Sequence, residues 1–186
     1  MTDNSSAMGE PDKREVADAY DILGGRIYDL RYTEEQSAKY EALLERMTPE
    51  PDDVALDIGC GTGLLIERLE SQTVGLDISA SLLSTARSKL RKREWSYLLM
   101  GDAGALPFRF SSFDMVFSVT VLQNTPDPPS SVKEMKRVGR AIAGVTALKK
   151  AFTKESFEAL LMEARFASIE VLDSSGLNDW VALIDL

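Results

Sequence analysis

The chain has 186 residues, 44% of them hydrophobic, enough for one compact domain with a substantial core. Its formal net charge of -9 argues against a nucleic-acid binder that works through a basic face, and no apolar run is long enough to span a bilayer. One cysteine and no histidine exclude an internal disulfide, a Cys/His metal cluster and histidine-based proton transfer.

Residues 1–12 are polar rather than signal-like and are expected as a disordered tail. Residues 13–23 have helical character, and Gly24-Gly25 breaks the pattern. Thr33 and Gln36 form a capping box that is expected to open a second helix. Its apolar face carries Tyr40, Leu43, Leu44 and Met47, and Pro49 and Pro51 stop it. Tyr20, Tyr28 and Tyr32 fall around the joint between these helices, where core packing is the plainer of two accounts.

Val54-Ala-Leu-Asp-Ile-Gly-Cys-Gly-Thr-Gly63 is the most informative stretch. A short apolar run ending in Asp57 reads as an interior strand, and Leu64, Leu65, Ile66 and Leu69 then suggest a helical face. Gly59, Gly61 and Gly63 let the backbone turn tightly and admit a ligand where a Cβ would block it. A helix start behind them would offer free N–H groups to a carboxylate or phosphate. The dinucleotide fingerprint would need glycine at position 64, where this chain has Leu64, and the Gly-Lys-Ser/Thr ending of a phosphate loop is absent.

Further signals follow in order. Thr73-Val-Gly-Leu-Asp-Ile78 reads as a second strand ending at Asp77, placed to accept hydrogen bonds from ribose hydroxyls. Ser96-Tyr-Leu-Leu-Met-Gly-Asp-Ala103 reads as a third, with Asp102 at its end, and residues 113–120 as a fourth. Acids at consecutive strand ends suit a ligand site, because open α/β sheets bind beyond the carboxyl ends of their strands. Residues 130–138 and the stretch from Thr153 read as helices. Residues 141–148, 169–172 and 180–184 read as strands, the last two joined by a Ser-Ser-Gly turn.

Asp-x-Gly-x-Gly-x-Gly, from Asp57 to Gly63, resembles motif I of the class I S-adenosylmethionine (SAM)-dependent methyltransferases. Asp77, Asp102, Leu106-Pro-Phe108 and Val121-Leu-Gln-Asn-Thr-Pro-Asp127 continue the likeness across residues 54–128. The resemblance implies a Rossmann-like, doubly wound α/β fold: a seven-stranded, mostly parallel sheet with an antiparallel last strand and helices on both faces. It implies SAM as cofactor and S-adenosylhomocysteine (SAH) as product. Asp57, Gly59, Cys60, Gly61 and Gly63 are then expected around the methionine end, Asp77 and Ile78 at the ribose, and Asp102 and Ala103 at the adenine. Ser118, and Tyr28 near the carboxylate, complete the expected cofactor set. Residues 13–50 would cover the cofactor site and form one domain with residues 51–186. Cys60, with no histidine to activate it, reads as a small loop residue rather than a nucleophile.

The acceptor is not readable. The small-molecule branch of the family often carries histidine after the fourth strand. Here stand Gln123 and Asn124, which could orient an acceptor or simply cap the loop. A domain this small favours a macromolecular acceptor, RNA or a translation-related protein, in the cytoplasm. The uncharged edge Tyr97-Leu98-Leu99-Met100 would suit a small zinc-binding activator subunit in a heterodimer. A small-molecule methyltransferase of quinones or lipid precursors is the alternative, with an enclosed apolar pocket near Gln123. A non-catalytic SAM-binding subunit is a third. Basic clusters at residues 87–93 and at Lys133, Lys136, Arg137 and Arg140 are expected chiefly as solvated helix ends.

Overall fold

A computed structural model describes residues 12–172 and 175–186, without the side chains of residues 26–28 and 30–32. Residues 1–11 of the expected tail, the Tyr28 and Tyr32 side chains and Ser174 of the expected turn therefore lie outside the described residues.

Helix α1 (Lys13–Leu23) starts where the Asp12 carboxylate accepts the Arg14 N–H at 2.7 Å. It ends at Gly24, whose φ of 70° is a left-handed value that glycine adopts without strain. Helix α2 (Gly25–Leu44) begins at once, and its first residue must be small, because a Cβ at residue 25 would lie 2.2 Å from the Thr85 hydroxyl. It is one continuous helix of 20 residues, so Thr33 opens nothing; its hydroxyl donates back to the Asp29 carbonyl inside the helix. No proline or glycine interrupts residues 26–44, so capping chemistry alone could not start a new helix there.

The strands are β1 (Val54–Ile58), β2 (Gln72–Asp77), β3 (Ser96–Met100), β4 (Phe113–Val119), β5 (Gly139–Leu148), β6 (Ser168–Leu172) and β7 (Asp179–Asp185). They form a seven-stranded sheet in the order β3-β2-β1-β4-β5-β7-β6. Pairing is parallel from β3 to β5, while β7 runs antiparallel to both of its neighbours. This is the expected doubly wound plan, and its order reverses between β1 and β4, where such sheets open a crevice.

Period-two alternation divides the core. Val116 of β4 with Ala182 and Ile184 of β7 face helices α4 (Pro128–Val138) and α5 (Lys154–Glu163). Phe117, Val119, Val181 and Leu183 point the other way, onto Tyr40, Leu43 and Met47 of α2. Helix α3 (Ala80–Leu90) packs Leu83, Ala86 and Leu90 against Cys60 and Ile66.

Two expectations are revised. The stretch after the glycine loop forms only a short turn of 3-10 helix, Ile66–Arg68, rather than an α-helix. Residues 64–71 as α-helix would rise roughly 12 Å, short of the roughly 17 Å needed to return along a five-residue strand to the start of its parallel neighbour. The third strand ends at Met100, leaving Asp102 in the following turn, where it bridges to Ala105.

Candidate active site

The carboxyl ends of β1, β2, β3 and β4 converge on one open cleft. Gly59, Gly61, Asp77, Ile78, Asp102 and Ala103 line it, and Lys13, Val16 and Tyr20 of α1 cover it. Asn124 lines it as well. Asp57, Cys60 and Gly63 stand behind this surface, and Ser118 is buried within β4.

The glycine loop is shaped by the backbone. Gly59, Gly61 and Gly63 have φ of 72°, 52° and 81°, and a Cβ at Gly59 would meet Val121 Cγ2 at 2.4 Å. Its amides are largely spent inside the chain. The N–H groups of Gly59 and Cys60 both donate to the Leu76 carbonyl, and the Gly61 N–H donates to Asp77 Oδ2 at 2.8 Å. The anion seat expected from a helix start is thus replaced by a loop pinned to Asp77.

Acidity governs the cleft. Asp77 Oδ1 accepts the Ser79 N–H at 2.8 Å; burial raises its carboxyl above the usual range against the pull of the Ser79 and Gly61 N–H groups. Asp57 is only 3% exposed, and burial, reinforced by the Asp77 charge, holds its carboxyl well above the usual range. The Cys60 thiol is pushed well up by burial and then by both aspartates, so it offers no thiolate. Asp102 accepts the Gly104 N–H at 2.9 Å and forms an ion pair with Lys13.

This donor-poor, acceptor-rich wall suits SAM. Its acids would accept from ribose hydroxyls, an ammonium and an adenine amino group, and Leu76, Ile78, Leu82, Val119 and Val121 would provide apolar flanks for the base. A pyrophosphate would face Asp77 and Asp102 with Lys13 as its one cationic neighbour in the lining.

The acceptor-side candidates hold the loop after β4. Gln123 donates through Nε2 to the Thr120 carbonyl, and Asn124 Nδ2 donates to the Tyr20 hydroxyl at 3.0 Å and to the Thr120 carbonyl at 3.4 Å. Thr120 has φ of 61°, an outlier for a β-branched residue. A buried network holds it there. Its hydroxyl lies 2.9 Å from Lys39 Nζ and 2.8 Å from Asp179 Oδ2, and Lys39 pairs with Asp179 Oδ1 and with Glu35, each at 2.9 Å.

Sequence reasoning missed Lys13, Thr120, Lys39 and Asp179. Lys39 did leave a trace: Gln36 and Lys39 interrupt the stripe that continues as Tyr40, Leu43 and Met47, and both are buried. The second basic cluster is internally engaged. Arg137 forks onto Glu134, Lys136 donates to the Ala164 carbonyl at 2.8 Å, and Arg140 pairs with Asp114 at 3.0 Å.

Residues 56–142 match the family model of the methyltransferase domain. The malonyl-[acyl-carrier protein] O-methyltransferase of Marinomonas sp. is 33% identical over 68% of this chain and 48% of its own length. The demethylmenaquinone methyltransferase of Roseiflexus sp. is 31% identical over 78% of this chain and 65% of its own. The matched region thus spans about half to two thirds of these relatives. A chain from the complex between the Haloferax volcanii Trm112 methyltransferase activator and its methyltransferase superposes with a TM-score of 0.77, covering 91% of this chain and 96% of that one at 17% identity.

Proposed function

Because this chain belongs to the class I SAM-dependent methyltransferases, we propose that it transfers the donor's methyl group to a small acceptor held beneath α1 and α2. Gly59 and Gly61 hold the methionine end, backed by Asp57 and Gly63, Asp77 accepts from the ribose, and Asp102 with Ala103 meets the adenine. Lys13, paired with Asp102 in the free cleft, gives way to the adenine amino group or shifts beside it.

The donor brings a methyl group on a sulfonium. An acceptor lone pair would bond to that carbon as the carbon–sulfur electron pair returned to sulfur, and any proton on the acceptor would pass to solvent as the product leaves. The protein's part is alignment and exclusion of water. Tyr20, Thr120 and Asn124 line the donor cleft and also a second recess beneath α2, and this shared wall, which sets the two side by side, is the observation that carries the reading. The relatives named for demethylmenaquinone and malonyl-[acyl-carrier protein] support a small or carrier-borne acceptor.

Incubating the purified chain with SAM and fractionated small metabolites tests this. Acceptor-dependent SAH release from a small-molecule fraction is expected. Release only with RNA or protein fractions would overturn it.

A second reading has its own support. On the outer edge of the sheet, Trp95, Tyr97, Leu99 and Met100 are 62%, 49%, 38% and 63% exposed, and β3 pairs only with β2 among the described strands. An unguarded apolar edge favours strand addition by a partner, and the Haloferax fold neighbour comes from such an activator complex. A macromolecular acceptor with a small activator subunit would use this edge. Co-expression with a candidate activator, followed by size-exclusion chromatography, distinguishes the two readings.

A further inference from the structure

The recess beyond Thr120 is lined mostly by polar residues, with carbon atoms making up about half of its surface. Between α2, the Leu122–Asn124 turn and the residues after β5 it is lined by Glu35, Gln36, Gln123, Lys150 and Asn178, with Leu148 as its one aliphatic side chain. Gln36 is only 5% exposed, yet its Oε1 has no hydrogen-bond partner among the described residues. An orphaned buried amide oxygen is costly, and it persists where something else supplies the donor. Glu35 is ionised across the neutral range: burial pushes its carboxyl up, but the hydrogen bond and charge of Lys39 outweigh that. Lys150, exposed on the lining, acts on Glu35 through its charge but makes no direct ion pair among the described residues. Lys39 and Asp179 cancel each other behind Thr120.

The recess therefore presents one anionic and one cationic group with no net charge between them. An apolar ring would shield Lys150 from water and leave it and the Gln36 amide oxygen without partners, and a ligand of single charge would answer one end of the recess and leave the other. We infer that the recess is the acceptor subsite and takes a small zwitterion, an ammonium or amine directed to Glu35 and Gln36 and an anionic group directed to Lys150. The inference rests on the methyl-transfer reading for its meaning but not for its test.

Saturation-transfer NMR on the SAH-saturated protein tests it, with β-alanine and γ-aminobutyrate as probes. Butyrate, butylamine and 1,4-dihydroxynaphthalene serve as controls of single charge or none. The zwitterions should bind about tenfold more tightly than either singly charged control, and Lys150→Met, an exposed and structurally mild change, should erase the advantage. Gln36→Leu should weaken both zwitterions as well. Absent zwitterion binding, equal binding of the controls, or binding indifferent to Lys150→Met would each overturn the inference. Failure of the protein to bind SAH would strike the methyltransferase reading instead, and the same titrations without SAH would still decide the recess.

Discussion

Asp57 lies near the end of β1 and Asp77 at the end of the adjacent parallel β2, and both carboxyls are buried. The folded state holds the Asp57 proton more tightly than the unfolded chain, because burial and the Asp77 charge raise its pKa. That contribution is complete below the unfolded pKa of about 3.9 and is lost as pH rises through the raised folded value. Asp57→Asn should therefore be more stable than the parent near pH 8, with the gap closing toward pH 5, as read from melting curves across that range. A constant gap would remove the burial argument. Asp77 differs because it pins the glycine loop through the Gly61 N–H. Asp77→Ala should weaken SAM binding by about 1–3 kcal/mol, the loss typical of a charged hydrogen-bond partner. Unchanged affinity in a folded variant would remove the ribose role. The glycines and both acids could be read in the sequence from their spacing alone. That the loop N–H groups turn inward to Asp77 and Leu76 could not, since it depends on how β1 and β2 sit side by side.

At the scale of elements, the glycine loop's sequel and α2 show where local patterns fail. The apolar spacing of residues 64–69 fits a helix, but the distance back to β2 does not. The capping box at Thr33 is real chemistry in a segment with nothing to end the preceding helix. The strands were legible because central β1, β4 and β5 are buried on both faces and read as apolar runs. The Lys39–Asp179 pair was not, because Lys39 lies in a helix and Asp179 at the start of the last strand, far apart in sequence. Both are fully buried, so removing one charge strands the other. Lys39→Met should cost about 3–5 kcal/mol in chemical denaturation, and pairing it with Asp179→Leu should recover part of that. A loss below about 1 kcal/mol would mean that water reaches the pair.

Across the whole molecule, two features compete to define the acceptor. The sheet's free edge at β3 is apolar and exposed, while the second recess lies at the carboxyl ends of the strands, beside the donor cleft. If the edge serves a partner, the double substitution Tyr97→Lys with Leu99→Lys should abolish co-elution with it, yet leave SAM affinity unchanged. Retained co-elution would free the edge of that role. The edge was visible in the sequence as an uncharged run. Its exposure was not, because any such strand must bury one face, and only the packing of α3 reveals which. The recess was invisible, assembled from α2, the turn after β4 and the loops flanking β5 and β7. Both readings presuppose that the acid-lined cleft holds SAM. Calorimetric titration of the purified chain with SAM, with a nicotinamide dinucleotide as control, tests this directly. One saturable SAM site, weakened by Asp77→Ala, with no heat from the dinucleotide, is expected. Silence with SAM, or binding indifferent to Asp77→Ala, would contradict it.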